Sequence, residues 1–352
     1  MDLPTLWFLL IAVLWTGYLV LEGFDFGVGM LLPVLARRRE ERDQMVRAFG
    51  PVWDGNEVWL LVAGGAMFAA FPNWYASMFS AMYLPLLLLL VCLIVRVLAI
   101  EYRRKVDDPR WTDRWDRVLT ISSLGAPLMA AVGLANVVHG IPLDAGHDFT
   151  GSLLDLLNPY ALLGGVAVIA LFLLHGATFL GLRTDGELRP RARTLALALW
   201  PVATVLVAAF GLWTLLGASD VARGISLAGT VGVLLAVIGL AGTGLALRAE
   251  REGIAFAGTA LTIAAAVIVL FAQLWPNVLP STGDPAGTLS VAETASSPYT
   301  LKVMTWVAVL VTPVVLLYQG WTYWVFRHRV SAEGFPPSVG GDAPAAGPAT
   351  GD

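Results

Sequence analysis

Long apolar runs separated by short polar loops dominate the pattern of the chain. Crossing the roughly 30 Å hydrocarbon core of a bilayer takes about 20 apolar residues in a helix. By this rule the pattern predicts about nine membrane spans. They cover residues 5–36, 52–71, 75–100, 117–138, 159–182, 194–217, 223–247, 254–275 and 300–326. The first run is longer than one crossing requires, so we expect that helix to tilt or protrude.

The loops between these runs alternate in charge. Loops 37–50, 101–116, 183–193 and 248–253 and the segment after 326 contain Arg or Lys, whereas loops 72–74, 139–158, 218–222 and 276–299 contain neither. Cytoplasmic loops carry the excess of basic residues, so we predict an outer N-terminus and a cytoplasmic C-terminus. Tyr323 is expected in the inner belt of interfacial aromatic residues.

The composition agrees with this pattern, since 57% of the residues are apolar and 14% are charged. A soluble domain has about 25% charged residues. We therefore predict an all-α polytopic membrane protein with one transmembrane domain at 1–330. The Pro/Gly/Ala-rich end predicts a disordered cytoplasmic tail at 331–352. The single cysteine, Cys92, lies in an apolar run, so we expect no disulfide framework and no thiolate metal site. We also expect no nucleic-acid partner.

The segment PVWDGNEVWL at 51–60 combines ionisable groups with the start of an apolar run. It contains Asp54, Asn56 and Glu57, and no charged residue follows from 60 to 71. A charge in or near a bilayer is costly unless it faces the protein interior, water or a partner. These acids therefore indicate a site rather than a lipid-facing surface.

A second acidic pair, Glu22 and Asp25, lies inside the first apolar run. Residues three apart share a helix face, and Gly23 and Gly27 have the small-xxx-small spacing that lets another helix approach closely. One interpretation is a proton path at a helix–helix contact, and the other is a structural hydrogen bond between helices. At 1.5 Å per residue, Asp25 lies about 16 Å inside its span and Asp54 about 5 Å, which favours a ladder from the cytoplasm.

Arg96 and His175 are the basic side chains inside apolar runs that need an explanation. Arg96 is either a counter-ion for Asp54 or Asp25 or a side chain that extends to the cytoplasmic surface. His175 is the one histidine well inside a span. A single buried histidine is more often a hydrogen-bonded core residue than an axial haem ligand, so we expect the chain alone to bind no haem.

Four motifs resemble subunit II of cytochrome bd quinol oxidase, from the first span to the last. They are GFDFGVGML at 23–31, PVWDGNEVWLLVAGGAMFAAFP at 51–72, LLNPYALLGG at 156–165 and VMTWVAV at 303–309. The resemblance implies two four-helix bundles plus a peripheral helix. It also implies a bacterial cell-membrane heterodimer with a subunit I that carries two b-type haems and one d-type haem. That complex oxidises quinol and reduces O2 to water.

In this resemblance, subunit II supplies part of the cytoplasmic proton path, stabilises its partner, can hold a structural quinone and has no catalytic residue of its own. Asp54 and Asp25 match the family's two intramembrane aspartates, and Trp53 and Arg96 match family positions in the same region. Glu57 stands where some members have Gln, Glu22 where some have Asp, and His175 where some have Gln. The basic residues are Arg except for Lys105 and Lys302, which indicates a GC-rich genome and favours menaquinol as the quinol. Lipid and small accessory subunits are further expected partners.

Two other functions remain open from the residues alone. A proton-coupled secondary transporter also places acids in its first spans, although the chain lacks the inverted repeats and paired broken helices typical of that class. A purely structural scaffold would use the acids only to bond helices together.

Overall fold

The computed structural model describes residues 2–332, which form twelve α-helices with little sheet. They are α1 (Leu3–Leu35), α2 (Arg39–Phe49), α3 (Trp53–Ala70), α4 (Pro72–Ala81), α5 (Tyr83–Tyr102), α6 (Pro109–His139), α7 (Pro159–Arg183), α8 (Leu188–Gly217), α9 (Leu227–Arg248), α10 (Glu252–Leu274), α11 (Val291–Thr294) and α12 (Pro298–Val325). A short antiparallel pair joins β1 (Asn277–Leu279) to β2 (Leu289–Ser290). The predicted disordered tail, 331–352, lies outside the described residues except for its first two positions.

Eight of the helices in the described part of the chain are long and apolar enough to cross a membrane. The prediction of an all-α polytopic membrane protein is therefore confirmed. The predicted span at 52–71 is helical as α3, but its polar first turn leaves it outside this group of eight. The count of nine spans and the orientation of the chain remain predictions.

One predicted span has a different form, because residues 75–100 do not make one continuous helix. Helix α4 ends at Ala81, and α5 begins at Tyr83. In a continuous helix Pro85 would lack a backbone N–H to donate and its ring would clash with the carbonyl four residues earlier, whereas in the first turn of α5 it is tolerated. The chain therefore restarts its helix around this proline.

The long helices pack as two four-helix groups with α12 outside them. Helices α1, α3, α5 and α6 form the first group, α7 to α10 form the second, and α12 packs mainly against α1 and α3. The two groups meet where α1 crosses α7. There a Cβ on Gly27 would overlap the backbone of Phe172 and Gly176, and one on Gly23 would lie 2.8 Å from the Phe172 ring. Both glycines thus lie at a close helix crossing.

The short helix α2, which lies in a predicted loop, connects the ends of both groups. Glu41 accepts hydrogen bonds from Arg191 of α8 and from the backbone N–H of Arg37. Asp43 accepts from Arg103 at the end of α5, with Nη1 to Oδ1 at 2.5 Å. Gln44 donates to the carbonyl of Val330 at 2.6 Å. Helix α2 therefore ties the first group, the second group and the C-terminal segment together.

We expect Glu41→Gln to destabilise the intact complex in a pH-dependent way. Burial raises the pKa of Glu41, but the hydrogen bonds from Arg191, Arg37 and Arg38, together with the positive charge of Arg191, outweigh burial and lower the pKa from 4.5 to about 2. A depressed folded-state pKa contributes stability above the unfolded-state value, and that stability disappears as the pH falls from about 4.5 to about 2. At pH 7 the loss should be about 1.5–3 kcal/mol, as for hydrogen bonds to charged groups.

The measurement is the thermal unfolding midpoint of the purified complex at pH 7 and at decreasing pH. Glu40→Gln is the matched control, because Glu40 is an exposed acid on the same helix. A Glu41→Gln midpoint equal to that of the parent at pH 7, or a difference that does not shrink on acidification, would contradict the expectation.

Candidate functional site

The centre of the first helix group contains a buried ion pair between α1 and α5. Arg96 and Glu22 are both 0% exposed, with Nη1 of Arg96 2.5 Å from Oε1 of Glu22. The same Nη1 lies 3.8 Å from Oε2 of Glu57 on α3. The guanidinium also lies over the ring of Phe26, 4.7 Å from its centroid. Three helices thus direct charged side chains to one enclosed point.

This geometry decides between the two interpretations of Arg96. The side chain does not extend to the surface, since it is wholly buried. It is a counter-ion, but its partners are Glu22 and Glu57 rather than Asp54 or Asp25. The expectation about Arg96 was therefore wrong in its partners. Sequence could not choose among acids on neighbouring helices, because it does not fix how the helices rotate toward one another.

Asp25 is held by an amide from the next helix. The side chain is 0% exposed, and its Oδ2 accepts a hydrogen bond of 2.8 Å from Nδ2 of Asn56 on α3. Oδ1 of Asn56 in turn accepts from the hydroxyl of Tyr323 on α12, at 2.7 Å. Sequence reasoning included Asn56 in a motif without giving it a role, and it assigned Tyr323 to an interfacial belt. The available signal for Asn56 was its position between two acids, Asp54 and Glu57, at the start of an apolar helix.

Asp54 lies apart from the buried groups. It is exposed in the first turn of α3, where the helix dipole favours an acid. The same face of α3 continues with exposed apolar side chains such as Val58 and Leu61, the latter 70% exposed. Glu57 lies one turn further on, with 21% of its side chain exposed, and it faces Arg96. Trp53 is half-buried and packs against the core.

The acids and the base of this site are unequal in number. Glu22 and Glu57 face the single guanidinium of Arg96, and a third carboxyl group, that of Asp25, lies one turn from Glu22 on α1. We call these four residues, together with Asn56, the acidic cluster. Buried charges must be paired or neutralised. Uptake of a proton would reduce the excess negative charge of the acidic cluster.

His175 does not fit an axial haem ligand. Its Nε2 lies 3.1 Å from the carbonyl oxygen of Val20, which can only accept, so this nitrogen carries the proton. Its Nδ1 lies 2.7 Å from Oγ1 of Thr259, and its ring stacks on Phe256 at 4.6 Å. Both ring nitrogens are thus occupied within the chain, as in a hydrogen-bonded core histidine.

The second helix group contains an apolar cavity of about 380 Å³ between α8, α9 and α10. Its walls include Val207, Phe210, Leu240 and Val269. Thr214 borders it but already donates its hydroxyl to the carbonyl of Phe210 at 2.7 Å. The lining therefore suits a hydrocarbon chain better than a polar head group.

The amino-acid sequence is similar to those of known membrane proteins over nearly its whole length. The family profile described as "Cytochrome bd terminal oxidase subunit II" matches residues 3–326. Cytochrome bd ubiquinol oxidase subunit 2 of Bacillus subtilis is 40% identical over 94% of this chain and 97% of its own length. Cytochrome bd-I ubiquinol oxidase subunit 2 of Escherichia coli is 35% identical over 93% and 95%.

A solved structure shares the fold. The bd oxidase of Geobacillus thermodenitrificans contains a chain that matches with a TM-score of 0.71 at 18% identity, over 93% of this chain and 99% of that chain. The profile match decides the family, together with two curated relatives that are 35% and 40% identical over nearly the full length of the chain. This multi-pass chain of the bacterial inner membrane belongs to the cytochrome bd terminal oxidase subunit II family and is a subunit of a quinol oxidase complex.

Proposed function

We propose that this chain supplies part of the proton path from the cytoplasm to the oxygen-reducing site, and that it supports a haem-bearing partner subunit. The observation that carries the proposal is the acidic cluster, with Glu22, Asp25 and Arg96 wholly buried among apolar helices. A buried ion pair is weak evidence for a role in stability alone, because well-packed apolar residues often do as well. Ionisable residues inside a membrane instead mark ion and proton pathways.

The route runs in steps along α3 and then across to α1. Asp54 takes up a proton at the exposed first turn of α3, and Glu57, three residues further, lies on the way to Arg96. Glu22 is bound to the same Nη1 of Arg96 that faces Glu57. Asp25, one turn from Glu22 on its cytoplasmic side, is the remaining carboxyl group of the route and lies deeper in the membrane than Asp54. Arg96 keeps the neighbouring carboxylates from repelling one another without carrying the proton itself.

The exposed face of α3 indicates that a partner protein covers Asp54 in the complex. A carboxylate among exposed apolar side chains is costly against lipid, and that cost disappears when protein or confined water covers it. Subunit I, with two b-type haems and one d-type haem, is the partner proposed for this face, and it carries the electron chemistry. His175, with both ring nitrogens occupied, supports a chain that is not catalytic on its own. Menaquinol as the substrate, bound lipid and accessory subunits remain predictions.

A structural quinone is a second ligand for this chain. The apolar cavity between α8, α9 and α10 has a volume of about 380 Å³ and a lining that suits an isoprenoid tail. The quinone head would bind outside it, since the bordering Thr214 hydroxyl is already used. This quinone takes no part in the proposed proton route.

The test of the proton path is Asp54→Asn in the intact oxidase. We expect quinol-driven oxygen consumption to fall at least about tenfold, a lower bound set below the roughly 10²–10⁴-fold contribution of a positioned proton-transfer group, while haem content stays at the parent level. Asp107→Asn is the control, because Asp107 is an exposed acid in the loop after α5, and it should keep the parent rate.

The outcomes separate the three functions. Unchanged oxygen consumption together with unchanged haem content would remove Asp54 from the path. A loss of haem in proportion to activity would favour the scaffold. Proton-coupled solute transport by the chain without a haem-bearing partner would favour the transporter.

A further inference from the structure

Among residues 2–332, the peripheral helix α12 has one polar connection to the acidic cluster, and it runs through Asn56. Nδ2 of Asn56 donates to Oδ2 of Asp25 at 2.8 Å and to the carbonyl of Leu21 at 3.2 Å. Oδ1 of the same amide accepts from the Tyr323 hydroxyl at 2.7 Å and from Nε2 of Gln319 at 3.4 Å. One side chain therefore bridges α1, α3 and α12.

We propose that Asn56 is a positioning residue for Asp25, and that Tyr323 of α12 holds Asn56 in the orientation this requires. The inference rests on the proposed proton path, because it assigns these two residues a role through Asp25. Neither Asn56 nor Tyr323 carries the proton in this account. Their effect is to fix where the Asp25 carboxylate lies and which of its oxygens remains open to the route.

The donor and acceptor roles in this network are determined by its two ends. The carbonyl of Leu21 can only accept, so the amide NH2 of Asn56 must face α1, and it therefore also donates to Asp25. At the other end the indole N–H of Trp59 can only donate, and it lies 2.9 Å from Oε1 of Gln319. The NH2 of Gln319 must then face Asn56. Every group between the two ends has one permitted orientation.

Tyr323 completes this orientation from a helix that is otherwise mostly exposed. Oδ1 of Asn56 points at the Tyr323 hydroxyl, which donates to it while the ring packs against the core. The opposite end of α12 has its own attachment, because the indole N–H of Trp7 donates to Oγ1 of Thr305 at 3.0 Å. Loss of the Tyr323 hydroxyl should therefore loosen Asn56 without detaching the helix.

The experiment compares Tyr323→Phe and Asn56→Leu in the intact oxidase. The readouts are quinol-driven oxygen consumption, the ratio of its rates in H2O and D2O, and haem content. Loss of one hydrogen bond should lower the rate about threefold in Tyr323→Phe, and loss of the whole amide about tenfold in Asn56→Leu. We expect the isotope ratio to rise in both, because proton transfer then limits turnover, while haem content is unchanged.

Two comparisons make the result specific to Asp25. Tyr318→Phe is the control, since Tyr318 is an exposed tyrosine on the same helix, and it should keep the parent rate and isotope ratio. Adding Tyr323→Phe to Asp25→Asn should cause no further loss, because Tyr323 acts through Asp25. Additive losses in that double variant would overturn the inference.

The remaining outcomes distinguish this inference from the proton path itself. If Asp25→Asn lowers the rate while Tyr323→Phe keeps the parent rate and isotope ratio, the positioning role is wrong and the path stands. If Asp25→Asn keeps the parent rate, the proposed path fails first. If Tyr323→Phe loses activity only in proportion to haem, its role is structural and the inference is overturned. Tyr323→Phe decides the matter even if Asn56→Leu does not assemble.

Discussion

Arg96→Leu is expected to destabilise the intact complex by about 3–5 kcal/mol, the usual effect of leaving one member of a buried ion pair unpaired. The variant leaves Glu22 buried beside Glu57 with no cation between them. It also removes the guanidinium from the ring of Phe26. The measurement is the thermal unfolding midpoint of the purified complex, together with the amount of assembled complex recovered from membranes.

Two variants serve as references for Arg96→Leu. Arg114→Leu removes an exposed arginine near the start of α6 and should shift the midpoint little, since exposed charges contribute about 0–1 kcal/mol. Combining Glu22→Gln with Arg96→Leu should recover much of the loss, because the uncompensated carboxylate is then gone. A single Arg96→Leu variant as stable as the parent would show that the pair is not a buried charge pair in the assembled oxidase.

Asp25→Asn is expected to lower quinol-driven oxygen consumption at least about tenfold, a lower bound set below the roughly 10²–10⁴-fold contribution of a positioned proton-transfer group. The substitution keeps the size of the side chain, and its carbonyl can still accept the hydrogen bond from Asn56. The fold and the haem content should therefore be retained while the titrating group is lost. The measurement is the steady-state rate per haem in the purified complex.

Glu101→Gln is the matched control for Asp25→Asn. Glu101 is an exposed acid at the end of α5, outside the acidic cluster, and its replacement should leave the rate per haem at the parent value. A parent rate in Asp25→Asn as well would mean that protons reach the oxygen site without Asp25. A rate per haem that is unchanged while total haem falls would assign Asp25 to assembly.

The apolar runs predicted the helices well because each run is long enough to exclude a strand or a loop. The same pattern missed the break at Met82, since Pro85 lies in an unbroken apolar stretch and interrupts the helix through its missing N–H and its ring rather than through polarity. It also missed α2, because its residues resemble a charged loop in the sequence. In the structure Glu41 pairs with Arg191 of α8, and Asp43 pairs with Arg103 at the end of α5. Charge alone does not show whether a basic segment is solvated or paired.

The sequence predicted which acidic residues belong to the site, but it did not predict which residues they pair with. The acids were singled out because charges in apolar runs are costly, and that reasoning applies to each residue separately. Pairing depends on how α1, α3 and α5 rotate against one another, which the spacing of residues within one helix does not fix. This is why Arg96 was matched to the wrong acids and why Tyr323, far along the chain, was not connected with Asn56.

The most direct test of the central claim is the rate of proton uptake when the fully reduced oxidase, purified intact, reacts with oxygen. A pH-sensitive dye reports uptake, and the haem spectra report electron transfer in the same sample. We predict that Asp25→Asn slows proton uptake at least about tenfold relative to the parent, with the haems fully loaded and still reduced by quinol. Proton uptake at the parent rate in that fully loaded variant would contradict a proton path through this chain at Asp25.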